Sequence, residues 1–123
     1  MINELNRIFE QLNNQMIKRE SNINSDVIEY SNGYEVLSDI PGVLKENIKV
    51  SFEGDSLTIN VDKKEDGENA DYKLCERSHA FEPKTIYFDE NVDITKVEAK
   101  YINGVLRIYV PKMPKKETNI KID

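Results

Sequence analysis

Two residues of this chain could do nucleophilic or metal chemistry, and each is the only one of its type: Cys75 and His79. A Ser-His-Asp arrangement would have His79 alone to serve as base. A zinc site would have Cys75, His79 and carboxylates to draw on, without a third and fourth ligand in a plausible spacing. The five glycines form neither G-x-G-x-x-G nor a P-loop, so no nucleotide cradle is visible. These residues predict no enzyme and no cofactor. The spacing that stands out is apolar. Ile120 and Ile122 lie two apart, on the same side of an extended segment. Burying both would give roughly 3–5 kcal/mol before ordering costs. At the other end Ile2, Leu5, Ile8, Phe9, Leu12, Met16 and Ile17 recur at steps of three and four, which predicts an amphipathic helix over 1–18.

What would hold these side chains is bounded by composition. The 123 residues fit one domain. Leu, Ile, Val and Phe number 34, above the roughly 20% below which a charged chain tends to stay disordered. Charged residues make up 33% and the formal net charge is −6, which argues against nucleic acid, since a phosphate backbone needs a basic stripe. No apolar run approaches the ~18 residues of a membrane span, so no membrane partner is expected. The N-terminus lacks the basic stretch and apolar core of a signal peptide. One cysteine gives no internal disulfide and suits a reducing compartment. These features predict a cytoplasmic protein.

Beyond the first 25 residues the apolar period changes from 3.6 to 2. Val27–Tyr30 and Tyr34–Ile40 flank Asn32-Gly33, a pair expected to form a tight hairpin with positive φ at both residues. Ile48, Val50 and Phe52 alternate with polar residues, and so do Leu57, Ile59 and Val61. Residues 63–73 are charged and almost free of apolar side chains, an exposed excursion. Leu74–Ser78 is a candidate short strand. Pro83 precedes a strand at Lys84–Phe88, where its missing N–H does least harm. Val97, Ala99 and Tyr101 form another alternation, and a second pair, Asn103-Gly104, leads into Leu106, Ile108 and Val110. Short strands with turn signals at short intervals, and no helix between them, predict an all-β, immunoglobulin-like antiparallel β-sandwich. The expected organisation is an N-terminal helical arm over 1–25, a sandwich over 26–111 with an exposed loop at 63–75, and a C-terminal extension over 112–123. Both arms carry apolar side chains that the small sandwich has little room to bury, which points to partners.

Five blocks in order resemble the small heat-shock proteins of the α-crystallin/Hsp20 type. They are Tyr34-x-Val36-x-x-Asp39-Ile40-Pro41-Gly42-Val43 with Lys45-Glu46-x-Ile48-x-Val50; Leu57-x-Ile59; Glu76-Arg77-Ser78 with Glu90-Asn91-Val92-Asp93; Ala99-x-x-x-Asn103-Gly104-Val105-Leu106-x-Ile108-x-Val110-Pro111-Lys112; and the tail Ile120-Lys121-Ile122. The resemblance implies an ATP-independent holdase that captures partly unfolded client proteins, and a homo-oligomer built from dimers by strand exchange. The exchanged strand would be Tyr72–Arg77, with Tyr72, Leu74, Glu76, Arg77 and Lys84 as dimer-strand residues. Ile120 and Ile122 would dock in a groove lined by Ile48, Val50 and Phe52 on one side and by Val97, Ala99 and Tyr101 on the other. Ile2, Leu5, Ile8, Phe9, Leu12 and Met16 would serve client capture and assembly. The alternative is a co-chaperone adaptor of the CS/p23 type, a similar fold that lacks the tail motif.

Overall fold

The computed structural model describes residues 4–8, 21–63, 70–115 and 118–123. Seven strands form: β1 Ser25–Glu29, β2 Gly33–Asp39, β3 Ile48–Glu53, β4 Ser56–Val61, β5 Lys84–Tyr87, β6 Glu98–Ile102 and β7 Val105–Pro111. They make a four-stranded sheet, β1-β2-β7-β6, and a three-stranded sheet, β3-β4-β5. Every pairing is antiparallel. This is the predicted sandwich.

Alternation decides which side chains meet. In β2 and β7 the registers Tyr34↔Val110, Val36↔Ile108 and Ser38↔Leu106 place each pair on one face. All six residues are buried. Leu57 and Ile59 of β4, with Ile86 of β5 and Phe88 after it, close the core from the other sheet. Ser38 is the polar member of this core, and its hydroxyl lies 2.7 Å from that of Ser25.

The two Asn-Gly pairs behave differently. Asn103 and Gly104 have φ of 55° and 77°, the tight hairpin turn expected between β6 and β7. Gly33 is instead the first residue of β2 and lies outside the positive-φ region, as does Asn32. Its lack of a side chain serves packing: a Cβ there would stand 2.8 Å from the Tyr109 hydroxyl and 2.9 Å from the Val110 carbonyl oxygen. The candidate strand Leu74–Ser78 is also corrected, for no ladder forms there among the described residues of this chain. Just beyond it, residues 80–82 are tied to residues 21 and 22 through side-chain bonds. Ser21 Oγ donates to Glu82 O at 2.6 Å, and Asn22 Nδ2 donates to Ala80 O at 2.7 Å. Glu82 N donates back to Asn22 Oδ1 at 2.8 Å. Of the N-terminal helix, residues 4–8 are helical, with Leu5 and Ile8 exposed. Ile2, Phe9, Leu12 and Met16 lie outside the described residues.

One ionic cluster fixes the root of the C-terminal extension. Lys112 N donates to Asn32 O and Met113 N to Asn91 O, both at 2.9 Å. Lys112 Nζ stands 3.5 Å from both Glu29 Oε1 and Glu90 Oε2, and 5.1 Å from the centre of the Tyr34 ring. The Tyr34 ring packs on Phe88 at 4.8 Å, and its buried hydroxyl meets the Glu90 backbone. Burial, aided by Glu29, pushes the Tyr34 phenol above the ordinary tyrosine value. Burial alone would lower Lys112, but Glu29 and Glu90 outweigh it and hold the amine above the ordinary lysine value. Both groups therefore keep their protons more tightly folded than unfolded. Their contribution is complete below the unfolded values of 10.0 and 10.5 and is lost as pH rises through the higher folded ones. Tyr34→Phe should leave stability near neutral pH within about 1 kcal/mol of the parent, because the ring packing is kept. It should also blunt the alkaline loss. Urea melts of both proteins at pH values on either side of about 10 check this.

Candidate functional site

β3 and β6 are edge strands of different sheets, so among the described residues neither has a neighbour on its outer side. The register fixes which of their residues face inward. On β3, Val50 stands opposite Ile59 and Phe52 opposite Leu57, and both partners are fully buried. Ile48, opposite Val61, continues the same face. On β6, Ala99 stands opposite the fully buried Ile108 and Tyr101 opposite Leu106. Val97, just before β6, also packs against the core.

All six are apolar or aromatic; five pack on the core and Ala99 shares their side by its register with Ile108, yet none is fully covered. Ile48, Val50, Phe52, Val97 and Tyr101 are half-buried, and Ala99 is exposed. Inward-facing apolar side chains that stay accessible are what an open seam between two sheets leaves behind. The residues expected to line a groove therefore lie on, or just before, edge strands of the two sheets, on the faces turned to the core.

Tyr101 anchors one end of that seam. Its hydroxyl donates to Ile40 O at 2.5 Å and is 3.0 Å from Val43 O. Gly104 lets the β6–β7 turn approach this loop, since a Cβ there would stand 3.3 Å from Pro41 Cα. Ile40 N donates to Gly104 O at 2.8 Å. Tyr101→Phe leaves two carbonyls without this donor and should cost about 1–2 kcal/mol of stability, read from a chemical melt. Toward the other end, Phe52 stacks on Phe88 with centroids 6.3 Å apart.

The tail residues are placed but not docked: Ile120 is 86% exposed and Ile122 is 92% exposed. The residues expected in a dimer strand fall into two groups. Tyr72, Leu74, Glu76 and Arg77 lie on the returning segment and are exposed, Leu74 at 74%. Lys84 is instead the first residue of β5, opposite Ile59 in this chain's own sheet. Pairing to β4 takes it out of the proposed crossing strand. It still lines an open cleft of about 1070 Å3 beside the β1 edge, with Ser25, Asp26, Tyr87 and Arg107. Sequence reading assigned no role to Val27. It stands opposite the fully buried Val36 on edge strand β1 and is 47% exposed, so a second seam is incompletely covered. Its place in the Val27–Tyr30 run was the available signal, whereas the edge position of β1 comes from the sheet order.

Cys75 is exposed, and the His79 ring lies edge-on to Tyr72 at 5.0 Å. Among the described residues no three His, Cys, Asp or Glu side chains converge as a metal site. No helix among them is long and apolar enough to cross a membrane.

Comparison with known proteins bears on this geometry. The model of the Hsp20/alpha crystallin family matches residues 26–123. The 18 kDa heat shock protein of Clostridium acetobutylicum is 38% identical over 100 residues, covering 76% of this chain and 64% of that protein. The chain thus spans just under two thirds of that relative's length. Heat shock protein 16 of Schizosaccharomyces pombe is 30% identical over 116 residues, 91% of this chain and 80% of that one. Among solved structures, heat shock protein 16.0 from Schizosaccharomyces pombe superposes with a TM-score of 0.65 at 28% identity, over 82% of this chain and 96% of the other. A small heat-shock protein from Xylella fastidiosa gives a TM-score of 0.69 at 21% identity, over 82% and 95%, a likeness of fold.

Proposed function

The chain belongs to the Hsp20/alpha-crystallin family, and from that premise we propose that it is an ATP-independent holdase that keeps partly unfolded proteins in solution. The family supports a chaperone role and makes this chain no enzyme. The finer reading rests on one observation: six core-facing side chains at the β3/β6 seam remain accessible, while the tail carries two exposed isoleucines at matching two-residue spacing.

The seam and the tail have complementary chemistry. An extended segment laid along an edge strand gains main-chain hydrogen bonds and places alternate side chains on one surface. Ile120 and Ile122 meet that requirement, and so does an apolar stretch of an unfolding client. A tail bound by two side chains comes off on heating, which frees the seam when clients appear. No step consumes a nucleotide. The exposed segment Tyr72–Arg77 supplies the second association, crossing to the open β1 edge of a second copy to complete its sheet. Dimers made this way join through tails into larger homo-oligomers. The N-terminal arm, with Leu5 and Ile8 exposed on its described turn, adds apolar surface for clients. The cytoplasm is the proposed site of action.

The test is light scattering of a heat-denaturing client without nucleotide. Near one chain per client, scattering should fall several-fold. Undiminished scattering would refute the holdase reading.

A further inference from the structure

The C-terminal extension divides into a held part and a loose part. Asp93 N donates to Pro111 O at 2.8 Å, Lys112 bridges to Val92, and Met113 N donates to Asn91 O at 2.9 Å. The chain is therefore still paired two residues beyond the end of β7. After Met113 the described residues are exposed and make no hydrogen bond to the sandwich.

The backbone bonds alone do not secure this boundary. Asn32 and residues 91–93, which make them, lie outside the strands, so they hold the root only as firmly as they are held themselves. The Lys112 side chain ties those segments together. Its amine reaches between Glu29, the last residue of β1, and Glu90, the residue before Asn91. The Lys112 side chain is 11% exposed, and a charge shielded from water interacts more strongly with its partners. Without the amine, two carboxylates that now share one nitrogen would face and repel each other. Displacement of Glu90 would carry Asn91 with it, and Asn91 O is the acceptor for Met113 N.

The position of this boundary sets the reach of the tail. Ile120 lies seven residues after Met113, a span of at most about 25 Å. Freeing Lys112 and Met113 would add two residues, about 7 Å of reach, and would release the direction in which the tail leaves. We propose that Lys112 is a positioning residue for the tail: its contacts with Glu29 and Glu90 hold the chain as far as Met113 and so limit which neighbouring seam Ile120 and Ile122 can reach. The selection of a seam rests on the tail-docking reading above, whereas the hold on Met113 does not.

The test is a spin label on Met113→Cys in the full chain carrying Cys75→Ser. With Lys112 present the label should move slowly. Lys112→Met should speed its motion several-fold, and Lys112→Arg, which keeps the charge, should restore slow motion. A melt of Lys112→Met should still show one transition within a few degrees of the parent, so the faster label reports the root and not unfolding. Should that variant fail to fold, Glu29→Gln with Glu90→Gln removes the same ionic contacts and should free the label equally. Sedimentation of the unlabelled proteins reads the consequence: Lys112→Arg should keep the parental mass distribution and Lys112→Met should broaden it. A label that stays slow in Lys112→Met, or in the glutamine pair, overturns the hold on Met113. A fast label with the parental mass distribution overturns the selection of a seam, provided that Ile120→Ser with Ile122→Ser does change the mass. If that double variant keeps the parental mass, the tail-docking reading fails and the label result stands.

Discussion

Replacing Ile120 and Ile122 together with serine is expected to reduce the assembly to its dimer unit and leave the melting of the sandwich unchanged. Both side chains stand almost fully in solvent in the single chain, at 86% and 92%. Removing them therefore takes no contact from the fold. What is lost is the burial they would gain in a neighbour's seam, about 1.5–3 kcal/mol for each side chain. Ordering the tail offsets part of this. A net loss of about 3 kcal/mol still weakens each tail contact by more than 100-fold. Sedimentation at micromolar protein reads the outcome, and a parallel melt should superpose on the parent. If the double variant kept the parental mass, the tail would have no part in assembly.

The second large effect is expected at Ile108→Ala. Ile108 is fully buried in β7, with Val36 opposite it on β2 and Ala99 opposite it on β6. Deleting its outer carbons removes transfer free energy and leaves a cavity, together worth about 2–5 kcal/mol. For a sandwich of this size each kcal/mol shifts the melting temperature by about 4–8 °C. Ile108 also forms the floor beneath Ala99, so the same change should loosen the seam. Calorimetry should show a fall of at least about 10 °C. A fall within a few degrees would mean that β7 does not carry the core. The contrast with Ile120 is informative: the same residue type governs folding at one position and association at the other.

Much of this was legible in the chain itself. The period-2 alternations placed β2, β3, β4, β6 and β7 because each strand has one face on the core, and Asn103-Gly104 announced its hairpin through positive φ. The other Asn-Gly pair misled. An identical dipeptide gives no sign that Gly33 is required by the Tyr109 ring, a contact between residues 76 positions apart. The strand expected at Leu74–Ser78 failed for a related reason: alternation proposes a strand, but only a free ladder edge makes one, and within this chain the segment is held at its end by Lys63 Nζ on Ser78 O instead. Lys84 was assigned to the crossing strand although its neighbours Ile86 and Phe88 already marked β5. The groove residues were picked out as a set of apolar positions, but their exposure depends on which strands end up as edges. Sheet order, which no local pattern encodes, decides that.

The central claim is that the tail of one chain occupies the β3/β6 seam of another. Disulfide trapping between chains tests it most directly. Ile122→Cys and Ala99→Cys chains, each with Cys75→Ser, are mixed, allowed to exchange subunits and oxidised. Ala99 faces the seam and is accessible, so a covalent pair joining the two variants should dominate. A control pair using Thr85→Cys, exposed on β5, should give little. Equal yields from both pairs, or no adduct at Ala99→Cys, would contradict the account.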